Sequence, residues 1–499
     1  MRSEHIKLMF ASVNIKTVVV MLVTGVIAAF TGLIASTGNP ILLALLVGMF
    51  AGVALLKAPN VSVWMLLIIG LFSGFLGSLV PGLSKLPWAL ALLSMLLLLP
   101  VSIKFIETKK IPVFIWLALV FMIYALLVSA VQWHSLPQML AGFKRYFQMY
   151  GLMFALALLA FRPEDYKRWL KLMLIIALMQ LPFALYEYFV LAGMRGGRGV
   201  GAAEATDVVA GTLGANMEGG SANAEMAAFL IMAMAFLIAR WRAGLIKKSR
   251  MLWLCMLCLL PLGLGETKIV IVLLPLVWLI LMREDIKRKF GRFFVQFLGL
   301  LMGTSIFGLI YLSLNKSNLS DTVTQTLSYN IGTQGYGTSI LNRTTVIDFW
   351  WRNQSWSDPV GLLMGHGLGS AYFSPSNPVP GHIAVQHIGY GIDLTSASSL
   401  LWDTGVIGLL MIMSIFVLAW RSAGRLHKIA TAPSIRSDAL AIQACIAVFF
   451  IFIFYDSALV NFLPFEVIAA TVLGYLGYLV RRENDEHTPR AADRTRNIT

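Results

Sequence analysis

Apolar runs long enough to cross a bilayer as helices, about 17 to 25 residues each, recur along almost the whole chain. Short breaks that are basic or rich in glycine and proline separate these runs. The fourteen runs lie at 17–36, 41–56, 62–80, 87–102, 112–131, 147–161, 172–192, 224–239, 251–264, 268–282, 293–314, 397–420, 439–458 and 463–480. Because several runs are short, the sequence predicts 12 to 14 transmembrane helices.

Composition and charge agree with a membrane location. Of the 499 residues, 58% are hydrophobic and 13% are charged, whereas soluble proteins carry about 25% charged residues. If the N-terminus is cytoplasmic, 30 of the 39 Lys and Arg residues fall in loops on that side, as the positive-inside rule requires. Membrane orientation thus explains the net charge of +15, and no nucleic-acid partner is expected. The predicted fold class is an all-α polytopic membrane protein with both termini in the cytoplasm.

The chain divides into four regions by hydropathy. Residues 1–314 are predicted to form N-terminal transmembrane helices, and residues 397–480 the C-terminal ones. A long, partly helical outer loop at 315–396 lies between them. The polar tail at 481–499 is predicted to be a disordered cytoplasmic segment. Long loops in compact proteins are usually functional, so the chemistry is expected in the loop at 315–396 and in a shorter outer loop at 193–223.

The shorter outer loop contains the segment "GMRGGRGVG". Its Arg195 and Arg198 are two of only nine basic residues not assigned to the cytoplasm. Flexible glycines let a backbone approach a ligand closely, and the two guanidinium groups are suited to bind phosphate or an acidic sugar. The alternative interpretation is a mobile, solvated loop without a ligand.

The long outer loop predicts an aromatic amphipathic helix from Arg343 to about Arg352, then a proline turn, then the segment "GHGLG". A dinucleotide-binding interpretation is not supported, because the strand and helix of a βαβ unit do not flank these glycines. Gly365, Gly367 and Gly369 are expected to let the loop turn tightly over a reacting head group. Simple connection between two helices is the alternative.

Three candidate proton acceptors follow, within a dozen residues of one another. His382, His387 and Asp393 precede a span that is entered through Asp403. Histidine accepts a proton near neutral pH, and an ionised aspartate is its usual substitute. The alternative is that the histidines are ordinary solvated surface residues.

The order of these motifs resembles that of the O-antigen ligase and polymerase superfamily of bacterial inner membranes. In that family an Arg opens a Trp-containing helix in the long outer loop, a G-x-G-x-G turn follows, and an acidic-x-Gly-x-x-Gly signature begins the next span. The matching residues here are Arg343 with Trp350, Gly365 to Gly369, and Asp403 to Gly408.

Two earlier segments extend the resemblance, which covers about residues 200 to 420. "GTLGANMEGGSANAEMAAFL" resembles a Gly- and Asn-rich family segment, and "GETKIVIVLL" resembles a segment in which Lys268 replaces the usual Arg. The family's ligases carry a His-Asn pair about nine residues before the acidic signature, but Leu394 and Thr395 occupy those positions here. The expected base is therefore His387 or Asp393, and the missing pair favours a polymerase.

The resemblance implies a GT-C-like helical bundle capped by the long loop. It implies transfer of a saccharide from undecaprenyl diphosphate to an acceptor hydroxyl at the periplasmic face, with inversion at the anomeric carbon. Because the sequence has no cluster of Asp, Glu and His with metal-ligand spacing outside the predicted spans, we expect the transfer to need no metal or other cofactor. Lys268 and Arg343 would stabilise the departing diphosphate. The alternatives are that Lys268 pairs with Glu266 and that Arg343 is a surface charge at the start of its helix.

Three functions remain open from the sequence. A polymerase would use a glycan or lipid-linked glycan as acceptor, whereas an O-antigen ligase would use lipid A core. A flippase or other transporter for lipid-linked oligosaccharides needs no base, but such carriers generally have short loops and related halves. The loop at 315–396 argues against the carrier.

Overall fold

All regular structure in the described part of the chain is helical. The structure is a computed structural model that describes residues 57–107, 110–195, 205–217, 221–265, 267–288, 339–373 and 379–496, together with isolated positions at 32, 290–302 and 324–337. No strand occurs among these residues. The described residues from Asn60 onward belong to one compact unit.

Fifteen helices of this unit carry the architecture. They are α1 (Pro59–Leu79), α2 (Leu86–Leu96), α3 (Leu98–Glu107), α4 (Val113–Val131), α5 (Leu136–Phe147), α6 (Tyr150–Leu158), α7 (Pro163–Tyr186), α8 (Asn223–Arg242), α9 (Lys248–Leu264), α10 (Val270–Arg288), α11 (Thr345–Arg352), α12 (Pro359–Met364), α13 (Ser396–Ile429), α14 (Pro433–Tyr455) and α15 (Leu463–Arg496). Shorter helical turns lie at Ala192–Arg195, His382–Gln386 and Ala458–Asn461.

Eight helical segments in the described residues are long and apolar enough to cross a membrane. They are α1, α2 continued by α3, α4, α7 continued to Met194, α8, α13, α14 and the first part of α15. Each of the eight overlaps a predicted apolar run, which confirms the prediction of a polytopic helical membrane protein at this level of detail. The run predicted at 41–56, and most of the runs at 17–36 and 293–314, lie outside the described residues.

Three further predicted runs form helices that do not reach the length or apolar composition of these eight segments. The run at 147–161 contains only the nine-residue α6, because the helical conformation is interrupted at Met149, just before Tyr150. The run at 251–264 is the 17-residue α9. The run at 268–282 becomes α10, whose last two turns carry Arg283, Glu284 and Asp285 among other charges.

Packing separates central helices from peripheral ones. Helices α8, α14 and α15 bury most of their side chains against the rest of the bundle. The peripheral helices expose large apolar side chains such as Trp116, Leu127 and Phe189, the last with 73% of its surface accessible. Water disfavours contiguous apolar surfaces of this kind, whereas lipid does not, so this arrangement is the one expected of a membrane-embedded bundle.

The two ends of the bundle differ in their polar contacts. At one end, which we call the basic end, Arg240 of α8 binds Asp438 of α14 through two hydrogen bonds of 2.9 and 3.0 Å. Tyr475 of α15 donates to the same carboxylate at 2.8 Å. At the opposite end, called the loop end, the Ser396 amide that starts α13 donates to the Asp456 carbonyl after α14. The long loop therefore attaches at the loop end.

The described part of the long loop is folded rather than extended. Residues 339–373 and 379–395, which we call the cap, contain α11, α12 and the turn His382–Gln386. Val346, Trp350 and Leu362 pack with Trp402 of α13 in a buried apolar cluster. Trp350 is 4% exposed, so its contribution to this core accounts for its presence in the sequence.

The prediction of a disordered tail at 481–499 differs from the structure. Helix α15 continues through Arg496. A helix that leaves the membrane already formed presents a nucleus to the residues that follow, so extending it avoids the unfavourable nucleation step that keeps isolated polar helices unfolded.

Candidate active site

The glycine turn of the cap docks onto a kink in α13. Gly365, Gly367 and Gly369 all have positive φ, at 75°, 87° and 77°, a region that side-chain-bearing residues rarely adopt. Gly405 breaks α13 with φ 67° and ψ −170°. The backbones of Gly365 and Gly405 approach so closely that a Cβ on either would collide with the other segment. The three glycines therefore form a tight turn whose partner is the following helix, and the expected approach to a reacting head group stays a prediction.

Asp403 holds this turn in place. Its buried carboxylate accepts hydrogen bonds from the Gly369 amide at 3.0 Å, the Ser370 hydroxyl at 2.7 Å and the Ala371 amide at 2.9 Å. Its carbonyl accepts from the Gly367 amide at 3.0 Å. The glycine motif and the acidic signature thus form one structural unit, in which Asp403 orients the cap.

The cap also contacts one face of α5, in addition to its contact with α13. Gln138 accepts a hydrogen bond from the His382 amide at 3.2 Å, and the backbone of Leu368 and Gly369 lies directly against Gly142. Arg145 follows one turn later. The spacing of 138, 142 and 145 places the three side chains on the same helix face, and this face is what positions Arg145 toward the cap.

Arg145 is buried and incompletely paired. Only 5% of its surface is exposed. Its Nε donates to Asn461 Oδ1 at 2.9 Å, and its guanidinium lies 3.4 Å from the centroid of the Tyr372 ring. Its Nη2 is 3.9 Å from Asp393 Oδ2 and has no hydrogen-bond partner among the described residues. Buried donors are nearly always satisfied by protein, water or a ligand, so this nitrogen can donate to a group that enters the site.

The Asp393 side chain is largely buried but still partly accessible to solvent. Its side chain is 18% exposed. Burial raises the pKa of its carboxyl to about 6, although the nearby Arg145 acts in the opposite direction. A carboxylate with a pKa of about 6 remains ionised at neutral pH and still accepts a proton more readily than an ordinary aspartate.

Arg343 forms a second buried cation at the same end of the bundle. It is 9% exposed, and its guanidinium lies between the rings of Tyr336 and Tyr455, 4.1 Å from each centroid. Its Nε donates to the Tyr455 carbonyl at 2.7 Å and its Nη1 to Asn330 Oδ1 at 2.7 Å. Burial raises the pKa of the neighbouring Asp456 to about 6, and Arg343 opposes this shift.

The local sequence explains where Arg343 points. The Asn342 carboxamide accepts from the Thr344 and Thr345 amides at 3.1 and 2.9 Å, which caps the start of α11. Arg343 is held in this turn and is not a free surface charge.

The segment from Tyr455 to Asn461, between α14 and α15, connects the two arginines. Arg343 contacts its first residue and Arg145 its last. Ser396, three residues after Asp393, binds the Asp456 carbonyl through both its amide and its hydroxyl. Arg145 and Arg343 thus both contact this short connection at the loop end, each with an aspartate nearby, Asp393 and Asp456 respectively. We define the candidate site as Arg145, Asp393, Arg343 and Asp456.

The predicted histidines lie in the cap beside this site. His382 donates through its Nδ1 to Gln138 Oε1 at 3.1 Å and stacks on His134, with ring centroids 4.4 Å apart. Burial, together with His134 and His366, lowers the pKa of His382 to about 4. His387 contacts the Phe349 ring edge-on, and burial lowers its pKa as well. Neutral, packed imidazoles of this kind support the cap.

The other predicted cations lie in the chain segments that flank α8 and α9. Lys268 is half-buried in the turn that precedes α10, and the preceding Gly265 packs near Met226 in the first turn of α8. Arg195 ends the turn Ala192–Arg195, and nothing is described of its side chain. Arg198 lies outside the described residues, as does Glu266, the alternative partner of Lys268. Their roles remain predictions.

Sequence reasoning missed Arg145 and Asp456. Arg145 and its neighbour Lys144 are among the nine basic residues outside the cytoplasmic assignments, so the criterion that selected Arg195 and Arg198 could also have selected them. Asp456 is the only acidic residue within the predicted apolar run at 439–458, a position that could have drawn attention to it. No group of three or more His, Cys, Asp or Glu side chains in the described part of the chain is arranged to hold a metal ion.

The chain matches no protein-family model and no curated protein sequence.

Proposed function

We propose that the chain is a glycosyltransferase that moves a saccharide from undecaprenyl diphosphate to a glycan acceptor, as an O-antigen or exopolysaccharide polymerase does. The observation that carries this proposal is the buried Arg145, whose Nη2 makes no hydrogen bond with a described residue and lies 3.9 Å from Asp393 at the loop end. A fixed cation beside a carboxylate that can accept a proton is what such a transfer needs. The loose family resemblance supplies the donor and acceptor classes.

In the proposed reaction, the acceptor hydroxyl oxygen bonds to the anomeric carbon while the bond from that carbon to the diphosphate oxygen breaks. The hydroxyl proton passes to Asp393, and the lipid diphosphate leaves with the bonding electron pair. Arg145 and Arg343 stabilise the negative charge on the leaving group, because preorganised donors in a water-poor site act strongly on developing charge. Lys268 remains proposed for the same role. Since these side chains supply positive charge, no metal or other cofactor is invoked.

The proposed location is a bacterial inner membrane, with the basic end in the cytoplasm and the site in the periplasm. The distribution of Lys and Arg supports this orientation. A lipid-linked donor would then keep its polyprenyl chain in the bilayer while its diphosphate reaches the loop end.

The proposal is tested by reconstituting the purified full-length chain with a synthetic undecaprenyl-diphosphate saccharide and measuring release of lipid diphosphate. Asp393→Asn is expected to reduce the rate by about 10²- to 10⁴-fold, the usual contribution of a general base. Arg145→Ala and Arg343→Ala are each expected to reduce it by about 10²- to 10³-fold. The matched control is Arg352→Ala, because Arg352 is an exposed cap arginine whose ion pair among the described residues is with Asp348 on its own helix.

The pH profile separates a base from a structural carboxylate. As the pH falls through about 6, Asp393 becomes protonated and the wild-type rate should decrease, whereas the residual rate of Asp393→Asn should not show this decrease. Wild-type rates in both Asp393→Asn and Arg145→Ala would refute the assignment. Release of lipid diphosphate that depends on lipid A core would identify a ligase, and movement of the intact lipid-linked saccharide without release would favour the carrier.

A further inference from the structure

A groove of about 280 Å³ opens between α7, α8 and α15 toward the basic end of the bundle. Lys167 and Lys171 of α7 and Arg240 of α8 line it, and deeper in the bundle its walls are apolar, including Leu174, Met232 and Phe236. The groove therefore has a charged part and an apolar part, which is the pattern of an amphiphile with an anionic head and a hydrocarbon tail.

All charged side chains that line the groove are basic. None of the lining residues is acidic. Arg240 is already paired with Asp438, but Lys167 and Lys171 are exposed, and neither forms an ion pair with a described residue. They are four residues apart on one helix, so their ammonium groups lie on the same face. Two uncompensated cations thus sit above an apolar wall.

We propose that this groove binds an anionic phospholipid of the bilayer, with its phosphate held by Lys167 and Lys171 and one acyl chain lying against Met232 and Phe236. Basic pockets between transmembrane helices are suited to anionic head groups. A soluble anion would make no use of the apolar wall, and a zwitterionic lipid would gain little from two lysines. The site lies at the opposite end from the candidate active site, so the proposal does not depend on the proposed function.

The charge of the site sets the expected preference. Each basic residue near a membrane surface favours an anionic lipid by about fivefold, so the two lysines together predict about a 25-fold preference for phosphatidylglycerol over phosphatidylcholine of the same acyl chains. A lipid that binds the folded chain also raises its unfolding temperature in a concentration-dependent way.

The test uses the purified full-length chain in a neutral detergent, with binding of each lipid followed by native mass spectrometry and by thermal unfolding. The charge variant is Lys167→Gln/Lys171→Gln, which should reduce the phosphatidylglycerol preference to about onefold while leaving weak phosphatidylcholine binding. The space-filling variant is Ala233→Trp, because Ala233 lines the groove; it should weaken binding of both lipids. The matched control is Lys247→Gln/Lys248→Gln, two exposed lysines near the basic end that do not line the groove and should leave the preference unchanged.

Three results would overturn the proposal. One is a wild-type chain that does not distinguish the two lipids. The second is an equal loss of preference in the control double variant, since the effect would then belong to general surface charge. The third is stabilisation by inorganic phosphate equal to that by phosphatidylglycerol. If Ala233→Trp does not fold, the near-isosteric lysine variants still decide between these results.

Discussion

Replacing Asp403 with asparagine should loosen the glycine turn without changing the size of the buried side chain. The carboxylate accepts three hydrogen bonds, of 3.0, 2.7 and 2.9 Å, from Gly369, Ser370 and Ala371. A charge-assisted bond contributes about 1.5 to 3 kcal/mol and a neutral one about 0.5 to 1.5 kcal/mol, so the three bonds together lose about 3 kcal/mol. Local relaxation is expected to recover part of this, leaving about 2 kcal/mol.

That free energy predicts how often the turn opens. Since 1.36 kcal/mol corresponds to a factor of ten, Asp403→Asn should increase the opening of the turn about 30-fold. Hydrogen exchange reports local opening of this kind, so exchange of the amides in a peptide covering 365–373 should accelerate by that factor. Ser370→Ala, which removes one of the three bonds and about 1 kcal/mol, should accelerate it about fivefold.

The matched control is Asp348→Asn. Asp348 is an exposed cap aspartate whose carboxylate pairs with Arg352 of the same helix at 2.9 Å, and its described contacts do not include the glycine turn. Exchange in the 365–373 peptide should therefore stay at the wild-type rate. If Asp403→Asn also left this peptide unchanged, Asp403 would not hold the turn, and the link between the glycine motif and α13 would have to be abandoned.

Two further predictions concern the attachment of the cap. Because the pKa of His382 falls from its ordinary value of 6.5 to about 4 through burial and the neighbouring His134 and His366, the unfolded chain binds this proton at higher pH than the folded chain. The contribution of His382 to cap stability should therefore be fully present above about pH 6.5 and decrease as the pH falls toward 4. Limited proteolysis across this pH range should show faster cleavage of the cap at low pH. An identical pH dependence in His382→Gln would contradict the prediction. Gly142→Ala places a Cβ against the backbone of the glycine turn and should cost about 1 to 3 kcal/mol through overpacking, measured as a lower unfolding temperature, whereas Gly77→Ala, where the added Cβ meets open space, should not.

Parts of the candidate site could be predicted because they depend on local chemistry. Gly365, Gly367 and Gly369 stand where only glycine tolerates positive φ, so their spacing alone predicts a tight turn. Asp393 was recognised as a possible proton acceptor from its residue type and its place in the long loop. Arg343 was recognised as a cation at the start of a helix, but its packing between two tyrosine rings was not.

Other parts could not be predicted because they depend on distant pairings. Arg145 binds Asn461, which is 316 residues away in the sequence, and Asp403 binds the turn from the next helix. Nothing in the local pattern around Arg145 indicates this partner. In the sequence, α5 lies in a short polar interruption between two predicted apolar runs. Which side chain completes a buried ion pair is decided by how the helices pack.

The sequence by itself determined that this protein is a helical membrane protein, because bilayer-length apolar runs and the uneven distribution of Lys and Arg are properties of local segments that any arrangement of the helices must respect. Only the tertiary structure decided that α5 and the connection between α14 and α15 bring Arg145 and Arg343 to the same end as Asp393 and Asp456. Apolar helices are compatible with many mutual arrangements, and the choice among them rests on the close contacts and buried hydrogen bonds that form when distant segments meet.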